Sequence, residues 1–257
     1  MQSNEQAFAI NRGSGNNRFV FRYGGMADIP VGIEGRKMLA QVESYRGNHG
    51  RYFFKELINE EDGKKQVNKW NYLRKHGVNV PDLFKPVTLA DGTPSLVIQD
   101  LSDKGRYQVL GMNNREINGQ DYLETSRKIS QSARERIIGD MVRACEAASG
   151  MYDNDDNPDG IIYTLQNNAF IIAINPLDQE DAIVYVADLG LDVMKRNKSK
   201  DDPNSVLESN LRSAADFYSW MTGEIFQLPP EHSLASKMNS DFTERGNEIL
   251  EYRGYPV

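Results

Sequence analysis

The chain is 257 residues long, 39% hydrophobic and 26% charged, with 37 acidic against 30 basic side chains and a formal charge of −7. That length can bury a sizeable core as one large domain or as two lobes, and the acidic balance argues against a surface built for nucleic acid. A single cysteine, Cys145, excludes an internal disulfide, so the fold needs no oxidising compartment. No stretch approaches the roughly 20 consecutive apolar residues of a membrane span. The opening "MQSNEQAFAI" has neither the basic flank nor the apolar run of a secretory signal. The expectation is a cytoplasmic chain with no membrane or nucleic-acid partner; export by an unconventional route would leave no such mark.

Residues 1–17 are polar and glycine-containing and are expected to be mobile. "RFVFR" (18–22), "KMLAQVE" (37–43) and "RYFFKEL" (51–57) alternate apolar and polar residues with period two, which predicts an antiparallel meander. Over 58–77 the period changes. Val67, Trp70 and Leu73 share a helical face, acids crowd the beginning, Lys75 and His76 sit near the end, and Gly77 is a C-cap candidate. Two more strands are predicted around "FKPVTLA" and "SLVIQDL", joined by the turn "DGTP". These elements make an α+β unit ending near residue 101.

Helix then takes over. "SQSARERIIGDMVRACEAAS" (130–149) carries a capping-box pattern, Ser132 with Glu135, ahead of an apolar stripe from Ile137 to Cys145. Cys145 reads as a core filler and His76 as a helix-end residue. The acidic loop "YDNDDNPDG" (152–160) precedes a predicted strand pair, "IIYTL" and "AFIIAI". The strand "IVYVA" (183–187) then stops at Asp188-Leu189-Gly190. Asp188 is either a metal-gripping carboxylate at a strand end or the first residue of a turn. The basic run "KRNKSK" (195–200) reads as a solvated loop or as a site for an acidic partner. Beyond it Leu207, Leu211, Ala214, Ala215 and Tyr218 define another amphipathic helix. No Cys/His cluster has zinc spacing and no Ser/His/Asp set stands out.

A sheet lobe holding one helix, followed by a helical lobe with a strand cluster ending in Asp-Leu-Gly, resembles the two-lobed protein-kinase-like fold. Within that fold it is most similar to aminoglycoside phosphotransferases and compact bacterial effector kinases. The resemblance spans roughly residues 28–226 and implies an antiparallel-sheet N-lobe with one helix at 1–99 and a mainly helical C-lobe at 100–257. It implies that Lys55 in "YFFKEL" holds the ATP phosphates, with Gln66 where the fold usually carries a Glu partner and Glu60 or Glu61 as substitutes. Gly32 and Gly35 of "VGIEGRKMLAQV" stand in for the phosphate-covering glycine loop. Backbone groups from Gln99 to Leu101 would receive the adenine edge.

By the same resemblance Asp188 is a Mg²⁺ ligand, and Asp216 of "DFYS", 28 residues later, braces the catalytic-loop backbone. The catalytic loop itself is degenerate. Alignment of "GIIYTLQNNAFII" without a gap puts Thr164 in the Asp slot and Ala169 in the Asn slot; sliding by one residue recovers Asn168 as a second metal ligand but supplies no Asp. Neither Tyr163 nor Thr164 suits proton acceptance at neutral pH. Asp153 and Asp159 of the upstream loop are the candidates for a replacement base. The resemblance thus implies ATP and Mg²⁺ binding by a pseudokinase or an atypical phosphotransferase, with a nucleotide and a protein partner or substrate as ligands. The alternative is an interaction or structural protein that keeps only the fold.

Overall fold

The computed structural model describes residues 7–11, 18–23, 37–44, 49–57, 60–82, 87–88, 94–99, 101, 106–111, 126–150, 161–187, 193–197 and 201–254. By its internal contacts the chain divides into two compact units, Met1–Asn71 with Pro81–Arg106, and Tyr72–Val80 with Tyr107–Val257. The fold class is α+β in both sequence and structure.

The first unit is built on a six-stranded antiparallel sheet. Its strands are β1 (Ala7–Asn11), β2 (Arg18–Tyr23), β3 (Lys37–Ser44), β4 (His49–Glu56), β5 (Val87–Thr88) and β6 (Pro94–Gln99), in the order β1-β2-β3-β4-β6-β5. The period-two segments all become strands, because alternation is what a sheet with one covered face requires. The N-terminal stretch expected to be mobile includes Ala7–Asn11, which form a strand. Those residues pair with β2 in the register Ala7↔Arg22 to Asn11↔Arg18, and the alternating Phe8 and Ile10 were the signal for it.

Helix α1 (Glu60–Lys75) follows β4. Gln66, Trp70 and Leu73 are buried at helical spacing, 2%, 2% and 0% exposed, while Glu61 and Lys65 pair on the solvent side at 3.0 Å. The Trp70 indole N–H donates to Pro81 O at 2.8 Å. Gly77 ends the helix at φ 74°. Gly77 N–H donates to Arg74 O and Val78 N–H to Leu73 O, each at 3.1 Å, which satisfies two carbonyls that the helix end would otherwise leave orphaned.

The second unit holds helices α2 (Gln131–Ser149), α3 (Pro203–Thr222) and α4 (Ala235–Tyr252). Among the described residues five strands accompany them, β7 (Gln108–Gly111), β8 (Ile161–Leu165), β9 (Phe170–Ile174), β10 (Ala182–Val186) and β11 (Val193–Asn197), arranged as a sheet of order β10-β9-β7 and a ribbon of β11 with β8. Ile137, Met141 and Cys145 of α2 are buried with Leu211, Phe217 and Tyr218 of α3 and with Phe226 and Phe242. Each such side chain contributes about 1.5–3 kcal/mol by leaving water. Phe226 stands edge-on between Tyr218 and Phe242, with ring centroids 5.8 and 5.5 Å away.

Three expectations need correction here. The α2 cap is Ser130, whose hydroxyl accepts Ala133 N–H at 3.1 Å; Ser132 instead donates to Glu180 at 2.5 Å. "IIYTL" and "AFIIAI" do not pair with each other, because the short turn between them sends each to a different partner, β11 and β10. Lys195, Arg196 and Asn197 of the basic run lie within β11 rather than in a loop. None of the described helices is long and apolar enough to cross a membrane.

Candidate functional site

The candidate site is assembled by β8, the turn after it and the β9–β10 hairpin. β8 runs antiparallel to β11, with Leu165 opposite Val193 and Tyr163 opposite Lys195. A single 3-10 turn, Asn167–Ala169, closes with Ala169 N–H donating to Gln166 O at 3.0 Å, and the chain then enters β9. β10 returns alongside β9, pairing Val186 with Phe170. Past the strand end, Ala187 N–H donates to Ala169 O at 2.9 Å. The backbone therefore delivers the residue just before Asp188 to the residue just after Asn168. Asn168 and Asp188 are 20 positions apart in sequence, and the described bond joins Ala187 to Ala169.

Two oxygens of this segment have no hydrogen-bond partner among the described residues, Thr164 Oγ1 and Asn168 Oδ1, although both atoms are buried. Buried polar atoms are almost always paired, so an orphan oxygen at a strand-end turn is a position where a ligand can supply the missing contact.

The backbone of β8 is held from the other side by Asn210 of α3, which is 0% exposed. Its Oδ1 accepts Leu165 N–H at 2.7 Å, and its Nδ2 donates to Tyr163 O at 2.9 Å and to Cys145 O at 3.5 Å. The backbone contacts that the resemblance leads one to expect from Asp216 are made to β8 by Asn210. Asp216 faces α4, where its carboxylate is bound by Arg245 at 3.0 and 2.6 Å. At about 100° per residue, six residues rotate a helix by roughly 600°, so the two side chains stand about 120° apart around α3. The overlooked signal was an Asn inside the apolar stripe of Leu207, Leu211 and Ala214.

The other sequence candidates are placed as follows. Lys55 lies in β4, between Lys37 of β3 and Leu96 of β6, in the interior of the first sheet; its side chain is outside what the structure describes. Gln66 is buried on the inner face of α1. Glu61, the other candidate partner, is exposed and paired with Lys65, whose hydrogen bond holds its carboxyl below the ordinary glutamate range. Gln99 ends β6. Its N–H donates to Asp82 O at 2.8 Å and its Oε1 accepts Asp82 N–H at 3.0 Å, so the Gln99 amide expected to meet adenine is already bonded. Leu101 is buried, 8% exposed. Gly32, Gly35, Asp153, Asp159 and Asp188 lie outside the described residues.

The described acids of the strand cluster are at the opposite end of the β9–β10 hairpin from Asn168, and each has a partner. Asp181 accepts from Tyr107 Oη at 3.0 Å and from Asn175 Nδ2 at 3.1 Å. Glu180 is held below its usual range by hydrogen bonds from Ser130 and Ser132. Among the described residues, no three His, Cys, Asp or Glu side chains converge as a metal-binding group.

No family model matches the chain, and no curated protein matches it. Among solved structures it is similar to the GDP complex of a point mutant of aminoglycoside 2'-phosphotransferase-IIIa, at 10% identity over 90% of this chain and 92% of that one. The TM-score is 0.31, and no correspondence of residues follows from it.

Proposed function

We propose that this chain is a kinase-like domain that binds ATP with Mg²⁺, as a pseudokinase or as an atypical phosphotransferase without the usual catalytic-loop Asp. One observation carries the reading: the hydrogen bond from Ala187 N–H to Ala169 O, which puts the approach to Asp188 beside Asn168. In this reading Asn168, in the turn after β8, and Asp188, which follows Ala187 in sequence, would each offer the metal an oxygen. Mg²⁺ prefers oxygen donors, and the orphan amide oxygen of Asn168 fits that preference. When bound, the ion would neutralise developing phosphate charge. Lys55 is assigned to the phosphates, Asp188 and Asn168 to the metal.

The turn itself supplies no acid. Gln166, Asn167, Asn168 and Ala169 have no side chain that accepts a proton at neutral pH. General-base catalysis is worth about 10²–10⁴ in rate, so its loss would cut turnover without touching nucleotide affinity. Asp153 and Asp159 are the residues assigned to any replacement base, and a protein is the assigned partner or substrate. The bonded Gln99 amide favours a second reading, in which the chain keeps the fold, binds no nucleotide and acts by protein contact.

A thermal-shift titration separates the two, because a ligand that binds only the native state raises its melting temperature. A rise with ATP and Mg²⁺ that is lost in Lys55→Ala and Asp188→Ala is expected. No rise at millimolar nucleotide would leave the contact reading standing. Phosphate transfer that is lost in Asp159→Asn or Asp153→Asn would identify an active enzyme.

A further inference from the structure

We infer that Asn210 is a positioning residue for the Gln166–Ala169 turn, and that it acts as the peptide group of a missing strand. Among the described residues β8 has a strand neighbour on one side alone, β11, in a two-stranded ribbon. The outer edge of such a strand exposes a backbone N–H and a backbone C=O on every second residue. At Tyr163 and Leu165 both groups are met by one buried side-chain amide, which accepts from Leu165 N–H and donates to Tyr163 O. A carboxamide has the donor and acceptor pair of a peptide unit, whereas a carboxylate only accepts. The same Nδ2 also reaches Cys145 O at 3.5 Å, so a single neutral group on α3 ties β8 to α2.

Leu165 is the last residue before the turn. Fixing its N–H fixes the direction in which the chain leaves β8, and hence where Asn168 and the Ala187–Ala169 hydrogen bond fall. This inference rests on the proposed nucleotide site for its functional meaning, but its structural content can be read without any nucleotide.

The test compares the wild-type chain with Asn210→Asp, which keeps shape and acceptor and removes the donor. Hydrogen exchange is measured on the free protein. The amides of Ala169 and Ala187 should lose protection by about tenfold or more, while those in the middle of α2 and α4 change by less than about twofold. Protection at the two amides should recover as the pH is lowered, because a protonated Asp can donate to Tyr163 O again. With ATP and Mg²⁺, the variant's thermal shift should fall well below that of wild type.

Unchanged protection at Ala169 and Ala187, or equal loss across all helices, would overturn the positioning role. A selective loss of protection with an undiminished nucleotide shift would overturn its link to the ligand site. Absence of any shift in the wild type would end the nucleotide reading instead, and the exchange result would still decide the role of Asn210. Should Asn210→Asp not fold, Asn210→Ser keeps a smaller donor and acceptor without charge, and the same selective loss is expected.

Discussion

Arg245 grips Asp216 across the α3–α4 contact with two hydrogen bonds, Nε to Oδ1 at 3.0 Å and Nη2 to Oδ2 at 2.6 Å. The hydrogen bond to Asp216 is also the largest cause of the raised Arg245 pKa. A paired fork is stronger than a single contact, but the side chains are 40% and 24% exposed, and water screens what they gain. Asp216→Asn should therefore cost about 1 kcal/mol or less in urea denaturation. A double-mutant cycle with Arg245→Gln should return most of that as coupling. The thermal response to ATP and Mg²⁺ should match wild type, and its loss would return Asp216 to the site.

Arg134 presents the opposite case, a residue only 8% exposed. Its Nε donates to Ile129 O and its Nη2 to Ser126 O, each at 3.1 Å, and its Nη1 is paired with Glu224. Ser126 in turn donates to Thr222 O at the end of α3. Truncation takes from Ile129 O the Arg134 donor, whereas Ser126 O keeps Ile129 N–H at 3.0 Å and the 45% exposed Glu224 carboxylate keeps Tyr218 Oη at 3.3 Å. Arg134→Ala is thus expected to cost about 2–4 kcal/mol by chemical denaturation. Arg134→Lys should recover less than half of the loss, since one ammonium cannot span the three acceptors. Full recovery by Lys would show that charge alone matters.

Most of the sheet was legible because alternation is a local signal. The strands at 18–23, 37–44 and 49–56 could be read from their own residues. β7 and β11 could not be read this way. "QVLG" is too short to show a period and "VMKRN" carries two charges in five residues, so their strand form depends on partners far along the chain. Helix α4 was within reach, since Ala235, Met238, Phe242, Gly246 and Leu250 repeat at three and four residues. At the site, the order of Asn168 and Asp188 was visible but not the bond that joins their neighbours. The Asn210 brace was hidden for a different reason. "DFYS" resembles the family's pattern by its letters, while the face of α3 that meets β8 depends on how the helix is rotated.

Two helical glycines should respond oppositely to an added side chain. A Cβ on Gly139 of α2 would meet nothing within 4 Å, so Gly139→Ala should stabilise by about 0.5–1 kcal/mol through backbone entropy. A Cβ on Gly246 of α4 would lie 3.2 Å from Ile225 Cγ1 and 3.3 Å from Ser219 Oγ. Gly246→Val should push α4 away from those atoms and cost about 1–3 kcal/mol. Paired thermal melts check both signs at once. A stabilising Gly246→Val would mean that α4 can shift freely, contrary to its close packing.

Cys145 gives the clearest pH signature. Its thiol is completely buried, and burial, with a smaller contribution from the neighbouring Glu146, pushes its pKa well above the ordinary range. The unfolded chain releases this proton near its usual pKa of about 8.5, whereas the folded chain retains it. Between those two values the folded state binds more protons, so stability falls as the pH rises. The stabilising contribution is complete below about pH 8 and is lost progressively above that. Denaturation midpoints of wild type and Cys145→Ala should thus converge as the pH goes from 8 to about 10, because the variant lacks this term. A thiol reagent should label the native protein only at the rate of unfolding, and denaturant should accelerate labelling steeply. Rapid labelling without denaturant would show that the packing of α2 against α3 opens locally at Cys145.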